Sequence, residues 1–204
     1  MGILSGIFGP SKKEIWQLLS EQIGSEFVEG SFLKKDKVVA HIKQWSVTLD
    51  TYAVSDGKTS TTYTRMRAPY VNKDNIRFKI YRSGIFTGIG AALGMQDIEI
   101  GFPEFDQDFV IKGENEQKLK ELLANTRIRE LMQLQPRFRL EVKDDEGWFG
   151  ASFPDGVDEL YFSVPGVIRE LGQLKGLFEL FAEVLNQLCI IGSAYESNPG
   201  VELV

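Results

Sequence analysis

From residue 25 to about residue 113, apolar and polar side chains alternate with a period of two, and clusters of glycine, aspartate and asparagine interrupt them. That period belongs to strands with one buried and one wetted face. It predicts strands at EFVEGSF, KVVAHIKQW, SVTLDTYAV, STTYTRMRA, NIRFKIYR, DIEIG and FVIKG. SDGK, between two of these runs, reads as a hairpin turn, because Asp-Gly readily takes the positive φ such turns need. Further on, RFRLEV turns Phe138, Leu140 and Val142 one way and Arg139, Glu141 and Lys143 the other, and WFGASF and ELYFSV read as two more strands.

Elsewhere the period is that of a helix. SKKE is a capping box, with Ser11 as N-cap and Glu14 three residues on, and it opens a short amphipathic helix through Trp16 that ends at Gly24. Between Gly113 and Pro136, Leu119, Leu122 and Leu123 form one stripe and Ile128, Leu131 and Leu134 another, which predicts two short helices. Pro165 suits the first turn of a helix. The run from Gly166 to Ile191 carries Ile168, Leu171, Leu174, Phe178, Phe181, Leu185 and Leu188 at spacings of three and four. Leu177, Leu180 and Val184 widen that stripe until the helix must be nearly enclosed. The expected fold is α+β: an antiparallel, strongly curved sheet or partly open barrel packed against the long apolar C-terminal helix. Residues 11–192 form one domain, preceded by an apolar arm (1–10) and followed by a mobile tail (193–204).

A chain of 204 residues, 43% hydrophobic and 25% charged, has ordinary globular usage and enough apolar surface for one core. Its net charge of −6 argues against nucleic acid as partner. The charge is segregated, however. Residues 56–82 hold seven basic side chains against two acids, and residues 97–121 hold eight acids against three lysines. One cysteine, Cys189, excludes an internal disulfide. MGILSGIFGP lacks the basic start and cleavage site of a secretory signal, and no run is long enough to span a bilayer as a helix. The expectation is a cytoplasmic protein, with peripheral attachment at the inner membrane face where a basic surface docks there.

Candidate chemistry is sparse. His41, the single histidine, falls on the polar side of its strand with no partner suggested nearby. Cys189 lies on the apolar helix, where a thiol behaves as a small hydrophobe. Glu104, Asp106 and Asp108 share a face if the strand at FVIKG extends back to them, the arrangement a metal-dependent enzyme would use. The bland reading, a wetted acidic face over Phe102, Phe105 and Phe109, is preferred, and no catalytic residue, metal or cofactor is assigned. Gly88, Gly90 and Gly94 follow a strand but lack the βαβ setting of a dinucleotide loop.

At FDQDFVIKGENEQKLKELL the chain resembles a family of uncharacterised bacterial proteins in which F-D-x-x-F-x-[IV] precedes a helix ending in Leu-Leu. Phe105, Asp106, Phe109 and Val110 lie in the first part, and Leu122 and Leu123 are the pair. The resemblance extends more loosely to the later strands and C-terminal helix. Many members of that family carry membrane spans near the N-terminus, where this chain has only a short amphipathic helix. The family has no established activity, so the resemblance implies kinship without chemistry.

The basic segment gives the leading functional expectation. If STTYTRMRA and NIRFKIYR pair with Met66 opposite Phe78, then Arg67 meets Arg77 and Arg65 meets Lys79. Opposed like charges invite an anion. Arg65, Arg67, Arg77 and Lys79 are therefore the candidate ligand-binding residues, with Ile85, Phe86, Ile89 and Trp16 as candidate membrane or partner contacts. The reading is a non-catalytic module that recognises an anionic ligand or membrane surface. Two alternatives stand beside it, a protein-interaction or self-associating subunit and the metal-dependent enzyme.

Overall fold

The computed structural model describes residues 9–31, 35–55, 57–84, 95–144 and 153–203. Among these residues ten strands form one antiparallel sheet: β1 (Glu26–Val28), β2 (Lys37–Ile42), β3 (Trp45–Ser55), β4 (Ser60–Asn72), β5 (Phe78–Arg82), β6 (Gln96–Asp97), β7 (Phe109–Gly113), β8 (Arg139–Lys143), β9 (Val157–Pro165) and β10 (Ala194–Tyr195). Their order is β1-β2-β3-β4-β9-β8-β5-β7-β6, with β10 beside the end of β4. The sheet is open, not closed into a barrel.

Alternation decides what each face holds. Val38 and Ala40 of β2, Val47 and Leu49 of β3, Met66 and Ala68 of β4, Leu160 and Phe162 of β9, Leu140 of β8 and Ile80 of β5 stand on one face and are buried. Five helices among the described residues bring their apolar residues into that same core: α1 (Lys12–Ile23), α2 (Pro103–Asp108), α3 (Glu116–Leu123), α4 (Thr126–Gln133) and α5 (Leu171–Ile190). The longest, α5, buries Leu174, Leu177, Phe178, Leu180, Phe181, Val184, Leu185 and Leu188. No helix among the described residues is long and apolar enough to cross a membrane.

Local chemistry sets the helix ends. Ser11 and Glu14 make both halves of the capping box on α1, and Gly24 closes it at φ 65°. The Trp16 ring is fully buried, and its Nε1 donates to the Ile168 carbonyl at 3.3 Å. Trp16 is thus a core residue and not the partner contact expected of it.

The long apolar helix also starts later than its sequence suggests. Pro165 ends β9, and α5 begins at Leu171, where the Glu170 carboxylate accepts from the Gly172 and Gln173 amides. The link between them stays extended because Thr64 Oγ1 donates to the Gly166 carbonyl (2.8 Å) and accepts from the Ile168 amide (3.0 Å).

The acidic segment at 103–108 is helical and not a backward extension of β7. Asp106 holds this turn: its two carboxylate oxygens accept from the amides of Ile100, Gly101 and Phe102 at 2.9 to 3.0 Å. Leu134, expected in the α4 stripe, lies at its C-cap and is 61% exposed. The segment from Ser193, read from the sequence as a mobile tail, is held at several points. Residues 194 and 195 pair with β4, Glu196 bonds Lys43 at 2.8 Å, and Leu203 is buried.

Two stability predictions follow from these contacts. Replacing Trp16 with alanine removes a filled core volume and should cost about 3–5 kcal/mol, read from the shift in urea midpoint. Asp106→Ala should cost about 2 kcal/mol by removing three hydrogen bonds to a charged acceptor, the one from the buried Ile100 among them, and Asp106→Asn, which keeps one acceptor oxygen, should cost visibly less.

Candidate site on the polar face of the sheet

The face of the sheet away from the core is built from the other half of each alternating strand. Thr48, Asp50 and Tyr52 of β3 lie beside Tyr63, Arg65 and Arg67 of β4. Next come Glu159, Tyr161 and Ser163 of β9, then Arg139, Glu141 and Lys143 of β8, and finally Lys79 and Tyr81 of β5. Several of these side chains are almost inaccessible: Arg67 is 2% and Glu159 0% exposed. Charges so placed must be compensated locally.

Two acids organise this compensation. Asp50 receives Arg65 Nε at 2.5 Å on one oxygen, and Arg67 Nη2 at 2.6 Å and Arg65 Nη2 at 3.1 Å on the other. Glu141 stands against Lys79 at 3.2 Å, Arg139 at 3.1 Å and Lys143 at 3.6 Å. Between them Tyr161 carries the Lys143 ammonium 3.3 Å above its ring, and Tyr52 stacks on Tyr63 at 5.1 Å. Burial, then a hydrogen bond with Tyr52, pushes the Tyr161 phenol far up, so it stays neutral.

The expected pairing of β4 with β5 is not formed. β9 and β8 lie between them, so Arg67 faces Thr48 and Tyr161, while Arg65 faces Asp50 and Ser163. The reason is the length of β4, which runs on through Pro69 and Tyr70 to Asn72 and pairs with β9 along eight residues, Thr64 to Val71. The four candidate cations therefore do not form one cluster. Arg65 and Arg67 share Asp50, Lys79 joins Glu141, and Arg77 sits at the strand ends with Asp144 (2.8 Å) and Asp158 (3.7 Å). Their counter-charges come from β3, from β8 and its following turn and from β9, outside the acidic stretch 97–121. Ile85, Phe86 and Ile89 lie outside the described residues, as do Gly88, Gly90 and Gly94.

What periodicity did not disclose is a cleft. β3 is longer than β2, whose register with it ends at Val38 opposite Leu49. Past that point a cleft of about 510 Å³ opens beside Asp50, Thr51, Tyr52 and Ala53, walled by Val28, Glu29 and Ser31 and by Lys35, Lys37 and Arg65. Its volume is in the range of small-ligand sites, about 300–1,000 Å³. The charge around it is positive. Lys35, Lys37, Arg65 and the adjoining Arg67 stand against Asp50 and Glu29, and Glu29 is itself paired with Lys13 at 2.5 Å. Lys37 also donates to the Leu203 carbonyl at 3.0 Å, which ties the cleft to the C-terminal segment. The only sequence signal for this place was the run KKDK at residues 34–37.

The remaining candidates are dispersed. Asp106 is engaged by backbone amides, Asp108 bonds Arg82 at 3.2 Å, and Glu104 is exposed. His41 Nδ1 lies 3.1 Å from Ser46 Oγ across the β2–β3 ladder. Burial raises the Cys189 thiol, which sits half-buried on α5. Among the described residues no three His, Cys, Asp or Glu side chains come together to hold a metal ion.

No protein-family model and no curated protein matches this chain. Among solved structures, the crystal structure of the mycobacterial trehalose monomycolate transport factor A, TtfA, has a similar fold, with a TM-score of 0.56 over 90% of this chain and 98% of that one. The two are 9% identical in sequence, so the likeness is one of fold.

Proposed function

We propose that the protein is a non-catalytic binding module for an anionic ligand, held in the cleft at the free edge of β3. The carrying observation is the cationic lining: Lys35, Lys37 and Arg65 converge on a cleft bordered also by Val28, Tyr52 and Ala53. Arg65 is fixed by Asp50, so it supplies a preset guanidinium, whereas Lys35 and Lys37 supply adaptable ammonium groups. Arg77 and Lys79, set apart at Asp158 and Glu141, take no part in this version of the site. The mixture of charge and apolar wall suits an anionic group borne on an apolar body. The name of the neighbouring fold, a transport factor for trehalose monomycolate, makes a lipid a sensible class to test beside a soluble anion.

The test is binding to phosphatidylcholine vesicles doped with phosphatidylglycerol and, separately, to a soluble phosphate monoester. Binding should weaken with added salt, and Lys35→Glu and Lys37→Glu should each reduce it about fivefold or more, from about 1 kcal/mol per cation. Binding of both probes indicates recognition of the anionic group itself, and binding of vesicles alone indicates a membrane surface. Absence of both, or indifference to the two reversals in a protein with unchanged circular dichroism, rejects the reading.

A further inference from the structure

The cleft has a wall made of main chain. Lys43 and Gln44 form a two-residue turn, with Lys43 at φ 52°, and Ile42 pairs with Trp45 across it. In such a hairpin the flanking pair is the hydrogen-bonded one, and the bonding side alternates along the strand. Trp45, Val47 and Leu49 therefore turn their amides and carbonyls toward β2. The unbroken register carries the same orientation to Thr51 and Ala53, where β2 no longer runs alongside. Both residues line the cleft. It thus combines a stretch of strand edge that pairs with no other strand among the described residues with a cationic rim, the two elements by which a sheet captures an extended acidic peptide.

We infer that the anionic ligand is an extended peptide that adds to β3 alongside Thr51 and Ala53, with acidic side chains at alternate positions facing Lys37 and Arg65. This rests on the anion-binding reading above and narrows its ligand class. Alternation with the core residue Val38, and the register of Asp50 with Arg65, put Lys37 and Arg65 on the polar face of the sheet. Alternate residues of an added strand would face them. The residues between would lie beside Thr51 and Ala53 and must be small or apolar. The chain already shows a related contact: its own Glu202 and Leu203 line the adjoining cavity, and Lys37 holds the Leu203 carbonyl.

The experiment uses the full chain and a fluorescein-labelled Glu-Val-Glu-Val-Glu peptide with blocked ends, followed by anisotropy. Two control peptides carry N-methyl groups on the two valine amides or on the amides of the second and third glutamates. Methylation blocks main-chain hydrogen bonds without changing charge. Valine methylation breaks an antiparallel addition and glutamate methylation a parallel one. The expected result is binding of the parent peptide and a loss of about tenfold or more for one methylated set only. Lys37→Glu should weaken the parent as well. Equal binding of all three peptides overturns strand addition in favour of simple charge capture. Binding of vesicles or phosphate without any binding of the peptide overturns this inference and leaves the anion site standing, whereas failure of every probe removes both.

Discussion

The structure depends on cover from one side. The helices, with α5 the longest, enclose the apolar face of a ten-stranded sheet, and the described residues provide no comparable layer of helices for the opposite face. Alternation then forces the other half of every strand into a setting where its polar side chains shield one another. Arg67 and Glu159 are as inaccessible there as core residues, although they stand on the polar face. Isolated charges in that position would be severely destabilising, so the face is organised around Asp50 and Glu141, each contacting more than one cation. The aromatic rings of Tyr52, Tyr63 and Tyr161 fill the gaps and give the cations flat surfaces to rest on.

The same constraint explains where the face opens. Neighbouring strands share their shielding only as far as they run together, and β2 leaves β3 at Leu49. Beyond it Asp50, Thr51, Tyr52 and Ala53 have β4 on one side and the cleft on the other. A difference in strand length is therefore what makes the site. Main-chain groups of β3 and the preset Arg65 reach it from the sheet, while Glu29, Ser31 and Lys35 of the β1–β2 connection complete its wall.

Much of the fold was legible because period-two alternation reports which side chains share a face. The cap at Ser11, the hairpin at SDGK and the strand RFRLEV all rest on local chemistry. Pairing order does not. Nothing in STTYTRMRA or NIRFKIYR records that two strands from the last third of the chain separate them, since adjacency in sequence is only a tendency. The starting point of α5 was hidden for a similar reason. Thr64, a hundred residues upstream, holds the link extended. In FPEFDQD the acids recur at every second position, as on one face of a strand, yet the segment winds into a helical turn in which the Asp106 carboxylate accepts from three preceding amides. Arg65 could be picked out as a candidate from charge density, but its neighbours in the site, Lys35 and Lys37, belong to a different segment that only the folded register brings alongside.

Asp50 is best understood as part of the cleft's cationic character and not as its neutraliser. One carboxylate shared between two guanidinium groups leaves the triad with a net positive charge, and it locks Arg65 into a single orientation. An arriving anion does not have to break that bidentate contact. It meets Lys35 and Lys37 first, in the field of a pair already desolvated when the chain folded. Ordering the Arg65 side chain is a cost met during folding, so less of the ligand's interaction is lost to immobilising it. Lys37 differs in that its partner, the Leu203 carbonyl, is neutral. Trading that hydrogen bond for one to a carboxylate or phosphate converts a neutral acceptor into a charged one, a change that favours the ligand by about 1 kcal/mol. The geometry thus divides the work between a fixed arginine that sets direction and a movable lysine whose exchange of partners supplies the gain.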